Sequence, residues 1–254
     1  MTLDAVRAEL APRNLLRVAI NLSNFLLVTG RDAGGNPTGV APDMGGEIAR
    51  HLGVDMVLVP YPDPGALADA VVRDEWDIGL IGAEPARAQH IAFTPAYVEI
   101  DATYLVPNGS AIHAVAAVDR PGIRIAVTAR TAYDLWLERN LRHATLVRSA
   151  SFDTAFDEFS SHQLDALAGL RSRLLVDARK MPDSRLLDGR FAAIQQAIGT
   201  PRSRQASAVF LSGFVENAKN SGLITRLIER HGVIGLSVAP VVEVGSAPEP
   251  RDGA

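Results

Sequence analysis

Two side chains three residues apart carry the clearest chemistry in this chain. Glu84 and Arg87 lie in the stretch from Trp76 to Tyr97, WDIGLIGAEPARAQHIAFTPAY. The apolar run Ile78–Ile81 reads as a strand that breaks at Gly82, turns through Ala83-Glu84-Pro85 and enters a short helical piece over residues 86–90. A strand ending in Gly and feeding a Pro-initiated helix directs N–H groups at the carboxyl edge of a sheet. That edge is where open α/β sheets take ligands, and helix N-termini favour anions. Arg87 adds a fixed charge and a planar fork suited to a carboxylate. The stretch is therefore a candidate anion pocket, with a plain surface arginine as the alternative. Glu84 is a candidate general acid/base: burial would raise its pKa and Arg87 would lower it.

The elements that must position these residues alternate along the chain. Strands are expected at residues 15–20, 54–59 and 76–81, with helices over 44–52 and 66–73 between them, a βαβ pattern that implies a parallel sheet covered by helices. Asp43 is expected to cap the first of these helices, and Gly53 to stop it. GRDAGGNPTG, residues 30–39, reads as a hairpin loop and lacks the Gly-Lys-Ser/Thr of a phosphate loop. After a break at Pro107-Asn-Gly-Ser110 a similar unit begins. Strands are expected at 123–128, 145–147 and 164–168, and helices at 131–140, 152–159 (capped by Ser151) and 170–179. Residues 206–212 fit either a last strand or a helix start, and an amphipathic helix over 214–231 breaks near residues 220–222. The fold class is thus α/β with two Rossmann-like lobes. Residues 1–106 and 200–238 form lobe 1, residues 107–199 form lobe 2, and a disordered tail spans 239–254. Such a pair creates a cleft, where ligands prefer to bind.

Composition narrows the function classes. Hydrophobic residues at 47% and charged residues at 21% match an ordinary globular protein. A net charge of -4 argues against nucleic acid. With no cysteine there is no disulfide, thiolate metal site or cysteine nucleophile. The six histidines show no metal-ligand spacing, and no metal or cofactor is expected. No stretch reaches the ~18 apolar residues of a membrane helix, so no membrane insertion is expected. The first residues lack the apolar core of a secretory signal. As written the expectation is cytoplasmic, and periplasmic if the native start lies upstream.

Three segments together resemble a known family. LIGAEPARAQHIAFTPAY is similar to a strand followed by small polar residues, Thr, an acidic residue, any residue, Arg and a Phe-Ser/Thr-x-x-Tyr ending, with the Thr position taken here by Glu84. Gly39-Val-Ala-Pro-Asp43-Met resembles a Gly-x-x-Val-Asp-Leu helix entry. Ser221-Gly-Leu-Ile-Thr-Arg-Leu-Ile-Glu-Arg-His-Gly232 resembles a C-terminal helix pattern. The family is the type II periplasmic binding proteins of polar amino-acid importers, solute-binding protein family 3, and the resemblance runs from about Leu15 to Gly232.

The resemblance implies hinge closure on a small solute and an ABC importer membrane subunit as partner. It makes Arg87 the clamp on a ligand carboxylate and places Gly82, Ala83 and Glu84 against the ligand. Asn24 and Phe25 would wall the pocket after the first strand. Arg130, Thr131 and Ala132 would contribute the loop of the second lobe. The family's Asp for a ligand ammonium falls on Leu170, next to Arg171, so that acid is missing. Arg87, Arg130 and Arg171 are then expected to line a positive cleft for a small carboxylate, amino-acid-like or an organic acid. The alternative is lyase or proton-transfer chemistry through Glu84, since cyclohexadienyl dehydratase uses the same scaffold.

Overall fold

The computed structural model describes residues 2–242. The chain runs α1 (Leu3–Leu10), β1 (Leu15–Asn21), β2 (Gly30–Arg31), β3 (Pro37–Thr38), α2 (Val40–Leu52), β4 (Asp55–Tyr61), α3 (Pro64–Asp69), β5 (Ile78–Gly82), β6 (Ile91–Phe93) and β7 (Val98–Pro107). It continues with β8 (Arg124–Thr128), α4 (Ala132–Asn140), β9 (Thr145–Ser149), α5 (Phe152–Ser161), β10 (Ala166–Leu170), α6 (Arg171–Lys180) and β11 (Ser184–Leu186). The last elements are β12 (Ala192–Pro201), α7 (Gln205–Asn220), α8 (Leu223–Arg230) and β13 (Ser237–Val238).

The sheet order is β4-β1-β5-β12-β7-β10-β8-β9. Parallel pairs β1/β4 and β1/β5 form one unit, and parallel pairs β8/β10 and β8/β9 form the other. Both are built by strand–helix–strand repeats, whose parallel strands must be covered on each face. Between them lie β12 and β7, both antiparallel to their neighbours. Residues 192–196 of β12 pair with β7, and residues 196–199 pair with β5. Residues 98–102 of β7 pair with β12, and residues 102–105 pair with β10. Each long strand thus begins in one unit and ends in the other.

Apolar spacing explains the packing. Val40, Met44, Ile48 and Leu52 repeat at helical intervals on α2 and are fully buried with Leu16, Val18 and Ile20 of β1. Ile125 and Val127 of β8 pack with Tyr104, Tyr133 and Leu137 in the second unit. Gly39 ahead of α2 has φ 144°, and a Cβ there would lie 2.4 Å from the Leu27 carbonyl oxygen, so only glycine fits.

Several expectations need correction. Asp43 does not cap α2; it sits in the first turn and meets His231 Nε2 at 2.9 Å and Arg230 at 3.2 Å. Arg87–Gln89 is a single 3-10 turn, not a longer helix, so its N–H groups offer no helix dipole. Residues 66–73 divide into α3, capped by the Asp63 carboxylate, and a 3-10 turn. Residues 206–212 are helical, within α7. The expected disordered tail begins too early. Ala239 N–H bonds the Tyr97 carbonyl, and Lys219, buried with Glu216 at 2.7 Å, donates to the Pro240 carbonyl. Val242 N–H reaches Glu216 at 3.0 Å. The rest of that tail, residues 243–254, lies outside the described residues. Among the described residues no helix is long and apolar enough to cross a membrane.

Asp77, 1% exposed, fastens the first unit from below. Its carboxylate accepts from the Arg17 backbone N–H and side chain at 2.8–3.0 Å and from Arg204 at 2.7 Å. Its own backbone bonds Arg17 and Thr200. One acid thereby ties β1, β12 and the approach to α7 together. Asp77→Asn keeps the shape but removes the charge and turns an amide N–H₂ toward two guanidinium groups. We expect a loss of about 2–4 kcal/mol, read as a lower urea midpoint at unchanged slope.

Candidate functional site

The loops after the parallel strands of both units meet at the carboxyl edge and enclose a cavity of about 40 Å³. That is room for very few waters. The first unit contributes Asn21, Ser23 and Asn24 after β1, Pro64 at the start of α3, and Gly82 and Arg87 after β5. The second contributes Thr131, Ala132 and Tyr133 around the start of α4, Phe152 of α5 and Leu170 at the end of β10. Ile194 and Gln196 enter from β12.

Arg87 is only 7% exposed. Its Nη1 donates to the Gly82 carbonyl at 2.7 Å and its Nη2 to the Arg130 carbonyl at 2.9 Å. Among the described residues no carboxylate comes within ion-pairing distance of it. Burial pulls its pKa down to about 10, with Glu84 the main opposing influence; the group stays cationic at neutral pH. A guanidinium has five donors, so the two carbonyls leave part of the fork unused. A buried cation held only by carbonyls is stabilised most by an incoming anion.

The Arg130 carbonyl reaches Arg87 because Arg130 adopts φ 61°, a left-handed conformation that disfavours side chains. Its N–H is held by Asp134 at 2.8 Å. Its side chain crosses back to the first unit and meets Asp69 at 2.7 Å. Gly65 permits that path, since a Cβ there would lie 2.8 Å from the guanidinium carbon. A second ion pair joins the units, Arg139 to Glu84 at 2.5 Å. Between these pairs Gly82 faces Ala132 so closely that a Cβ at 82 would come within 2.9 Å of the Ala132 Cβ.

Of the residues expected at the site, Asn24, Gly82, Arg87, Thr131, Ala132 and Leu170 surround the cavity. Thr131 is already committed: its hydroxyl caps α4 at the Asp134 N–H and donates to the Thr128 carbonyl. The other expected residues lie elsewhere. Phe25 is 37% exposed, outside the lining. Ala83 N–H bonds the Gln195 carbonyl in the sheet. Glu84 is buried but turned to Arg139 rather than to the cavity. Arg130 is turned to Asp69, and Arg171 donates to the Gly189 carbonyl. The expected cleft of three arginines is therefore corrected to one cationic side chain. Sequence reading missed Pro64, Tyr133, Phe152, Ile194 and Gln196. Tyr133 belongs to the core of the second unit, and burial raises its pKa to about 12, yet it also lines the cavity. Gln196 was findable as a polar residue in the apolar strand AAIQQAIG.

Comparison with known proteins agrees with this architecture. The sequence pattern of "Bacterial extracellular solute-binding proteins, family 3" matches residues 16–233, and the chain belongs to that family. No curated protein matches the sequence. Among solved structures, the chain is similar to a mutant of ArgBP from T. maritima, with 23% identity, TM-score 0.70 and coverage of 90% of this chain and 99% of that one. It is also similar to AbpA from Streptococcus pneumoniae, solved bound to L-arginine, with 17% identity, TM-score 0.69 and coverage of 87% and 96%. A third is the ancestral amino-acid-binding protein AncCDT-1, a precursor of cyclohexadienyl dehydratase, with 22% identity, TM-score 0.68 and coverage of 91% and 99%. These likenesses establish the two-lobed type II fold.

The Glu84–Arg139 pair generates an asymmetric expectation. Burial raises the Glu84 pKa, opposed by Arg139. Arg139 keeps 38% of its side chain exposed, whereas Glu84 keeps 6%. Glu84→Gln therefore strands only a cation that water can reach, and we expect a loss within about 1 kcal/mol. Arg139→Ala strands a buried carboxylate and should cost more, with a pH signature. A folded-state pKa raised above the usual carboxylate value gives stability that is present at low pH and lost as pH rises through the folded value. Thermal unfolding of Arg139→Ala should thus weaken relative to wild type from about pH 4.5 upward, and a pH-independent difference would contradict this account.

Proposed function

We propose that this family 3 solute-binding protein captures a small carboxylate between its lobes, with Arg87 as the anchor, and presents it to the membrane subunits of an ABC importer. The observation that carries the reading is the buried Arg87 guanidinium, held by two carbonyls and, among the described residues, no carboxylate, at the carboxyl edge where both units meet. Because Nη1 binds the first unit and Nη2 the second, an anion on the remaining donors would strengthen the contact between lobes as it binds. That is the coupling a hinge-closing binder needs: differential affinity for the closed state. The relatives support the class of solute, since solved relatives are described as amino-acid-binding proteins. An importer role places the protein on the outer side of the membrane, where an importer's binding protein works.

Catalysis through Glu84 has less support. Its carboxylate is paired with Arg139 and does not line the cavity, which supports a lobe-to-lobe contact over a proton donor to a bound solute.

Isothermal titration of the full chain against a panel of small carboxylates and amino acids tests the reading. The best binder should lose at least about a hundredfold in affinity on Arg87→Ala, as expected for removing a charge-assisted bidentate contact. Arg87→Lys should recover only part, since a point charge replaces a fork. Unchanged affinity in Arg87→Ala would rule out the anchor.

A further inference from the structure

Among the described residues the cavity is lined by one charged side chain, Arg87, and by no acid. The carboxylates nearest it are all engaged. Asp63 caps α3 at the Ala66 N–H. Asp69 holds Arg130 and Glu84 holds Arg139. Asp134 holds Arg148 and the Arg130 N–H. At the end of β10, where the second unit faces Arg87 across the cleft, the chain offers Leu170, 7% exposed. A solute ammonium here would be buried beside a guanidinium with no counter-ion, the least favourable arrangement for a charge.

What the cavity offers in place of a counter-ion is a neutral acceptor. Asn24 is 7% exposed, lines the cavity, and its Oδ1 is buried with no donor. Its neighbours do not serve it: the Asn21 Oδ1 accepts both the Ser23 N–H and the Ser23 hydroxyl. A buried acceptor left without a donor is costly, and a neutral donor on the solute relieves it. The apolar part of the wall, Leu170, Ile194, Phe152 and Pro64, suits an aliphatic or aromatic body.

Resting on the carboxylate-binding reading above, we propose that the solute is an acid without an ammonium group, carrying a neutral hydrogen-bond donor such as a hydroxyl. Asn24 is the specificity-determining residue that accepts from that donor. Leu170 excludes the zwitterion by withholding a counter-ion. The preferred class is hydroxy acids over the amino acids of the same skeleton.

Titration of the full chain with three matched sets decides it: propionate, lactate and alanine; isovalerate, 2-hydroxyisovalerate and valine; 3-phenylpropionate, 3-phenyllactate and phenylalanine, chiral members as both enantiomers. In the set that fits the cleft, the hydroxy acid should bind about tenfold tighter than the plain acid and at least about a hundredfold tighter than the amino acid. Asn24→Leu should erase the first difference, bringing the hydroxy acid and the plain acid to equal affinity. Leu170→Asp should raise amino-acid affinity at the expense of the hydroxy acid. An amino acid as the tightest wild-type ligand overturns the inference and leaves the Arg87 anchor standing. Equal affinity for hydroxy and plain acids overturns the role of Asn24. No binding in any set removes the carboxylate reading as well. Should Asn24→Leu fail to fold, the wild-type series alone separates these outcomes.

Discussion

Two adjacent antiparallel strands, β7 and β12, set the terms for everything else. Each is ten residues long, and each trades one set of neighbours for another near its middle. Paired with one another at residues 98–102 and 192–196, they form the stretch of ladder that belongs to both units. The parallel sheets on either side can be built by local strand–helix–strand repeats, but their mutual placement cannot. It depends on this pairing, which joins residues almost a hundred positions apart. A register slip by one residue would turn Ile194 and Gln196 away from the cleft and misplace the two loops that grip Arg87.

The cleft follows from that placement. Arg87 sits on a 3-10 turn after β5, and its two bonds reach back to its own strand end and across to a carbonyl held in a left-handed turn. The acid three residues before it is drawn to the opposite unit, so nearby opposite charges do not neutralise each other. The division leaves the cavity with a net positive group and neutral walls. The charges that look poised for chemistry in a linear reading serve instead to hold one unit against the other.

How much of this was legible in the sequence depended on the range of each interaction. The strand–turn–Arg signal around Gly82 and Arg87 is local, and apolar periodicity placed the parallel strands of both units and most of the helices that cover them. The capping of α5 by Ser151 was readable for the same reason, since a cap and its N–H partner lie three residues apart. Arg130 and Arg171 were misread because their side chains answer to Asp69 and Gly189, partners 61 and 18 residues away. No spacing rule reports such partners. Glu84 was misread in the same way, by an arginine on α4. Ile194 and Gln196 were missed because their exposure to the cleft is decided by which strand β12 pairs with. The start of the C-terminal tail was misjudged because proline-rich composition conceals a buried lysine waiting for one of its carbonyls.

The two ion pairs across the cleft have a kinetic side. If a solute leaves by parting of the lobes, Arg130 must first release Asp69 and Arg139 release Glu84, and residence time then depends in part on the protein's own latches and not solely on the bonds the solute makes. The latches differ in kind. Asp69 and Arg130 are each more than half exposed, a pair that salt screens and water exchanges freely. Glu84 is buried, so its separation from Arg139 requires water to follow into the gap. Such a gate gives two barriers of unequal height along the exit path, and a membrane partner that competes for either arginine could lower one of them and hasten unloading.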